Sequence, residues 1–166
     1  MIRIDIAGLV KVDGASLDID VQEMPEELEN LYAGVVFKEA PAIKGTLVNI
    51  GGVLKLNGSI CVSYSCSCDR CLQHIDSFMC IDVDEEYVKN SREHEGYEYG
   101  DNFITLDEMI IDNIGVNMPM IHLCDAMCKG LCPVCGSNLN EHKCNCSHKQ
   151  NENASAFSVL KDFFSK

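Results

Sequence analysis

Six of the eleven cysteines in this 166-residue chain crowd together as Cys124-x3-Cys128-x3-Cys132-x2-Cys135-x8-Cys144-x-Cys146. This spacing restricts the fold more than any other feature. Cys132-Pro-Val-Cys135-Gly136 is a tight turn that aims two sulfurs and their neighbouring N–H groups at one point, and Cys144-Asn-Cys146 is a second hook. Zn²⁺ takes four soft ligands in a tetrahedron, and two short hooks joined by a small loop supply them without a large core. Gly136 can take the left-handed conformation that such a turn needs. The expectation is a structural zinc held by Cys132, Cys135, Cys144 and Cys146. Buried unligated cysteines are common singly but rarely arrive as CxxC followed by CxC.

Cys124 and Cys128 are then left over, and their spacing on a helical turn puts both sulfurs on one side. Upstream, Cys68-Asp-Arg-Cys71 is a further CxxC, placed at the turn between two strongly patterned segments. Joining the two pairs gives a second tetrad of Cys68, Cys71, Cys124 and Cys128, which would tie that turn to the C-terminal module. Cys66, His122 and Cys132 compete for places in it, because spacing does not rank them. Cys61 and Cys80 read as plain structural thiols. His142 and His148 flank the last hook and read as solvated loop residues, while His74 and His94 carry no partner signal. The cofactor expected is Zn²⁺, one ion at the first site and a second if the second tetrad forms.

The rest of the chain alternates. Ile2, Ile4 and Ile6 face one way, as do Leu17, Ile19 and Val21. Leu54, Leu56, Ile60, Val62 and Tyr64 form a third such row, and Ile75, Met79, Ile81, Val83 and Tyr87 a fourth. Period-two patterning of this kind marks half-buried antiparallel strands. Ala42 to Ile50 is a weaker strand, joined to the next by Gly51-Gly52, a hairpin signal. A short helix is expected near Pro25 to Tyr32, and the polar stretch from Asn90 to Asn102 reads as a mobile loop. Thr105-Leu-Asp-Glu108 reads as a capping box opening a helix with Leu106, Met109, Ile110 and Ile114 on one side, stopped by Gly115 and Pro119. The expected fold is therefore α+β. An antiparallel meander of about five strands with one or two helices occupies 1–121, a Cys-rich zinc-ribbon-like module 122–149, and a short amphipathic tail with Phe157, Leu160, Phe163 and Phe164 residues 150–166.

A hydrophobic content of 46% supports a packed core, and no apolar run is long enough for a membrane helix. The first residues lack a signal-peptide core, so a cytoplasmic location is expected. In a reducing compartment, cysteines at hook spacing indicate metal and not disulfides. Net charge is −13, and two Zn(Cys)4 groups would take it to about −17. Such a chain is repelled by nucleic acid unless its charge is segregated, and it favours a basic protein partner.

Catalytic patterns are missing from the sequence. The CxxC at 68–71 lies between antiparallel strands, outside the βαβ setting of disulfide-exchange enzymes. Neither HxE nor HExxH occurs, nor a Gly-rich phosphate loop. The expectation is a protein that is not an enzyme.

Several phrases together resemble a known family. They are Cys68-Asp-Arg-Cys71-Leu72, Asn117-Met-Pro119, Leu123-Cys124, Cys128-Lys-Gly-Leu-Cys132-Pro-Val-Cys135-Gly136, Asn138-Leu-Asn140 and Cys144-x-Cys146. In this order they are similar to the bacterial YceD family, the large ribosomal RNA subunit accumulation proteins. The resemblance implies a role in large-subunit biogenesis that supports accumulation of 23S rRNA. Two ways of acting are consistent with it. An acidic adaptor would bind a ribosomal protein or assembly factor through Asp18, Asp20, Asp82, Asp84, Glu85 and Glu86. A direct 23S rRNA binder would use the module 122–149, whose side-chain charge is +1 against −14 for the remainder. That module has no Phe, Tyr or Trp for base stacking, which favours the adaptor. A third reading, zinc or redox sensing, needs exposed labile thiols.

Overall fold

The alternating segments pair as strands, and the pairing builds a mixed sheet with a small annex. The computed structural model describes residues 1–90, 96–100 and 102–146. His94, His148 and the expected tail of residues 150–166 lie outside them. In chain order the elements are β1 (Arg3–Asp5), β2 (Ser16–Gln22), β3 (Val36–Phe37), β4 (Ala42–Ile50), β5 (Val53–Ser67), β6 (His74–Val88), β7 (Tyr97–Glu98), β8 (Phe103–Thr105) and α1 (Asp107–Asn117). The main sheet has the order β2-β4-β5-β6-β7, antiparallel except at β6–β7, and β3 pairs with the far end of β5. A separate two-stranded sheet joins β1 to β8. Among the described residues no helix is long and apolar enough to cross a membrane.

Register places the apolar rows together. Ile43, Ile60 and Ile81 lie opposite one another across three strands, as do Leu17, Leu47 and Leu56. Except for half-buried Leu17, these side chains are buried in one core with Leu54, Val62, Val83 and Tyr87. Each such aliphatic side chain contributes about 1.5–3 kcal/mol on leaving water. The opposite face is polar, with Asp18, Thr46, Asn57 and Asp84 in one row and Asp20, Lys44, Ser59 and Asp82 in the next. Gly51 and Gly52 both have positive φ, 62° and 95°, which closes the β4–β5 hairpin with the backbone twist that two-residue turns require.

The helix lies over the apolar side of β6 and buries Met109, Ile110 and Ile114. Two expectations for it are corrected. Thr105 does not cap it, because its backbone is already used in β8, where it pairs with Arg3; the N-cap is Leu106, without a side-chain cap. The Asp107 carboxylate instead accepts the Ile2 N–H at 2.7 Å, fastening the helix start to the N-terminal strand. Gly115 does not end the helix, which runs on to Asn117; extended Met118, ahead of Pro119, does.

The expected helix near Pro25 shrinks to one 3-10 turn, Leu28–Asn30, too short to nucleate an α-helix. The expected loop 90–102 is partly structured, since Tyr97–Glu98 forms β7 and the Tyr99 hydroxyl donates to the Gly52 carbonyl at 2.7 Å.

Candidate metal centres

The first group of sulfurs is built at the tip of the β5–β6 hairpin. Cys68 N–H donates to the Gln73 carbonyl at 2.8 Å and Leu72 N–H to the Cys68 carbonyl at 2.9 Å, so the chain folds back on itself between Cys68 and Cys71. Leu72 takes the left-handed conformation at φ 59°, which L side chains adopt rarely. The segment after the helix is clasped to this tip. Asp69 N–H donates to the His122 carbonyl at 2.8 Å, and His122 N–H donates to the Asp69 carboxylate at 2.6 Å. Arg70 then reaches the Cys128 carbonyl at 2.9 Å.

These contacts bring Cys68, Cys71, Cys124 and Cys128 together, all sulfurs within 4.8 Å of one another. Cys68 and Cys128 sulfurs are 3.8 Å apart, and those of Cys71 and Cys124 are 3.5 Å apart. Four sulfurs on a tetrahedron around Zn²⁺, with bonds of about 2.3 Å, would sit about 3.8 Å apart, so the spacing fits. The stretch 124–128 is a turn and not a helix, closed by Cys128 N–H donating to the Asp125 carbonyl at 3.0 Å.

A second group follows at once. Gly130 has φ 75° and a Cβ there would lie 2.9 Å from the Arg70 carbonyl oxygen, so glycine lets the chain pass close to the hairpin tip. Leu131 N–H donates to that same oxygen at 3.0 Å. The turn Cys132–Cys135 closes with Gly136 N–H on the Cys132 carbonyl at 2.8 Å, with Gly136 at φ 73°. Cys132, Cys135, Cys144 and Cys146 then converge with all sulfurs within 4.8 Å. The donor set is again four sulfurs, the soft ligands that Zn²⁺ takes.

Hydrogen-bond donors face the sulfurs of both groups. Cys124 N–H points at the Cys68 sulfur at 3.4 Å, Val134 N–H at the Cys132 sulfur at 3.4 Å, and the Asn140 side-chain amide at the Cys128 sulfur at 3.2 Å. They divide each group electrostatically. Although burial opposes it, the N–H groups of Cys124, Cys71 and Arg70 bring the Cys68 thiol down to about 6. The Ser137 hydroxyl and N–H bring Cys135 down to about 6, and Asn140 lowers Cys128. Sulfurs beside those anions resist ionising: Cys128 and Cys71 push Cys124 up to about 12, and Cys135 pushes Cys146 up to about 12. Four sulfurs this close could hold a cation, which would let all of them ionise.

The competing ligands stand elsewhere. Cys66 is buried in the hydrophobic core, and the His122 ring packs edge-on against Tyr64 at 5.6 Å. Cys132 belongs to the second group. Cys61 and Cys80 are corrected outright, since they form a disulfide across β5 and β6. Both lie on the outer face, and the connection at 68–73 sets a register that puts them directly opposite. The alternation gave each residue only its face, and the register that pairs them comes from the structure. Asn140 and Arg70 were missed as well. Asn140 stood in the Asn138-Leu-Asn140 phrase, but nothing in the sequence aims its amide at a sulfur across a gap in the chain.

A family model described as "Large ribosomal RNA subunit accumulation protein YceD" matches residues 56–164, from β5 through both cysteine groups. The "Large ribosomal RNA subunit accumulation protein YCED homolog 1, chloroplastic" of Arabidopsis thaliana is 35% identical over 49 residues. That alignment takes in 30% of this chain and 15% of the plant protein, so the chain spans a small part of that relative. No solved structure matches. With the family model covering well over half of the sequence, the chain belongs to the YceD family of large ribosomal RNA subunit accumulation proteins.

Proposed function

We propose that this protein is a non-enzymatic adaptor in large ribosomal subunit assembly, stapled by two structural zinc ions and supporting 23S rRNA accumulation by binding a basic ribosomal protein or assembly factor. Cys132, Cys135, Cys144 and Cys146 hold one ion, and Cys68, Cys71, Cys124 and Cys128 the other. Four thiolates fill a tetrahedral zinc and leave no position for substrate, so the metals supply rigidity.

The observation that carries the adaptor is an acidic groove of about 470 Å³ beside α1. Glu26, Glu27, Asp107, Glu108 and Asp112 line it around Ile111; among the described residues its lining holds no Lys or Arg, and the Met1 ammonium, 3.7 Å from Asp107, offsets one of the five carboxylates. The strand face that the sequence pointed to is weaker, because Lys44 lies 3.2 Å from Asp20 and Lys55 lies 3.0 Å from Asp84. RNA binding has less support. Within 122–146, Lys129 and Lys143 are offset by Asp125 and Glu141, and each Zn(Cys)4 adds negative charge.

Three measurements test this. Elemental analysis of protein purified without chelators should give two zinc ions per chain. Pull-down from lysate at moderate salt should recover a ribosomal protein or biogenesis factor, and Glu26→Lys with Glu108→Lys should lose it. A gel shift with 23S fragments that is tight and salt-sensitive at physiological ionic strength would favour RNA instead. A fully folded, metal-free chain would sink the zinc reading.

A further inference from the structure

The two cysteine groups share a side chain. Asn140 lies in the loop between Cys135 and Cys144, which belong to one group, yet its amide nitrogen donates to the sulfur of Cys128 in the other at 3.2 Å. Its oxygen accepts the Lys129 N–H at 2.7 Å, and its own N–H and amide both donate to the Asn138 side-chain oxygen at 3.0 Å. The amide is thus fixed on both sides.

From this geometry we infer that Asn140 is a positioning residue that couples the two metal centres, so that closing the Cys132/Cys135/Cys144/Cys146 centre strengthens metal binding at the Cys68/Cys71/Cys124/Cys128 centre. The inference rests on the proposal that both tetrads hold metal. An N–H donor on a ligand sulfur stabilises the anionic metal-bound state, and such outer contacts change metal affinity by about 10–100-fold. What holds the donor in place is the loop itself. Its two ends are Cys135 and Cys144, which an ion in their centre would clamp together. The Leu131–Asn138 bridge, Leu139 N–H on the Gly130 carbonyl at 2.9 Å and Cys132 N–H on the Ser137 carbonyl at 2.8 Å lay the loop against the segment that joins the centres. With the loop open, the amide loses its aim and the hairpin centre keeps its four sulfurs without this donor. Coupling is reciprocal, so an ion at the hairpin centre also favours closure of the other. Arg70 belongs to the same bridge, since its carbonyl accepts from Leu131 and its guanidinium donates to the Cys128 carbonyl.

The full-length chain tests this by competition titration with Zn²⁺ against a chelator, and with Co²⁺ as a spectroscopic probe. Asn140→Asp keeps an acceptor for Lys129 and removes the donor; Asn140→Ala removes both and adds no charge. Asn140 is solvent-exposed, so neither change empties the core. Both variants should still bind two ions, with the hairpin centre weakened about tenfold or more and the other centre changed less. Losing the hydrogen bond should also shift the sulfur-to-cobalt charge-transfer band to lower energy, which a purely structural defect would not do. Cys144→Ser with Cys146→Ser should weaken the hairpin centre by a similar factor. Adding Asn140→Asp to that background should weaken it no further. Unchanged affinity in both Asn140 variants, or losses that multiply in the combined variant, would overturn the coupling. A wild-type chain that takes up no metal would overturn the zinc reading beneath it, whereas two ions with an indifferent Asn140 would overturn this inference alone.

Discussion

Asn49 shows how one buried polar side chain can hold a segment that has no strand of its own. It is 2% exposed, and its amide donates to the carbonyls of Leu9 at 2.9 Å and Val12 at 3.1 Å while its oxygen accepts the Gly52 N–H at 2.9 Å. The stretch between β1 and β2 is thereby fastened to the β4–β5 turn. Replacing it by leucine leaves three backbone groups without that partner, at about 1–3 kcal/mol for each that stays buried. Asn49→Leu should lower the urea midpoint by an amount equivalent to about 3 kcal/mol, with zinc content unchanged. The disulfide is a second residue-scale test. Thiol titration of denatured, metal-stripped protein should find nine reactive cysteines before reduction and all eleven afterwards. Cys61→Ser with Cys80→Ser should cost about 3 kcal/mol, the loop-closure value for a separation of 19 residues, and leave metal content untouched. The faces of these residues were legible in the alternation around them. Their partners were not, because Asn49 bonds forty residues back and a cross-strand pair depends on register.

Among the elements, the crossing of β4 and β5 is the tightest point. Gly45 and Gly58 lie opposite each other, and a Cβ on Gly45 would come 2.6 Å from the Asn57 carbonyl oxygen. A Cβ on Gly58 would press into the Lys44 carbonyl and the Gly45 backbone. Ile19 and Val83 flank the pair in the same row, so these glycines let the strands coil without opening a gap in the core. Gly58→Val should therefore be among the most damaging changes on the sheet, at about 3 kcal/mol or more by thermal or urea unfolding. The exposed control Asn57→Val should cost far less. The long strands and the buried stripe of α1 were readable from periodicity, since fifteen-residue β5 and β6 repeat the pattern many times. The short elements were not. β3 and β7 have two residues each, and they exist through neighbours already in place; the same holds for Thr105, recruited by Arg3 into β8 before it could cap a helix.

For the whole molecule, the cysteine hooks were legible because metal-ligand spacing is a local pattern, but their consequence for architecture depends on where the hairpin tip meets the later segment. Around Cys68 the sheet and the C-terminal module share few apolar contacts: Cys68, Cys71 and Cys128 form a small buried cluster with Leu123, Cys124 and Leu131 at its edge. Further links are the Asp69–His122 clasp, the bonds from Arg70, the Cys124 N–H on the Cys68 sulfur and the His122 ring against Tyr64. A cluster of that size is small against the entropy of release, so the proposed cation bridging Cys68 and Cys71 to Cys124 and Cys128 would be the decisive tie. Cys68→Ser should reduce zinc from two ions per chain to one. Its amide exchange pattern should then divide, with fast exchange at Asp69 and Leu131, whose N–H groups bond across the junction, and continued protection at Ile60 and Ile81 in the sheet. The same division should appear when a chelator strips wild-type protein, and readdition of Zn²⁺ should restore protection at Asp69 and Leu131. If the junction amides stay protected in both cases, packing alone holds the module, and the protein keeps its shape without metal.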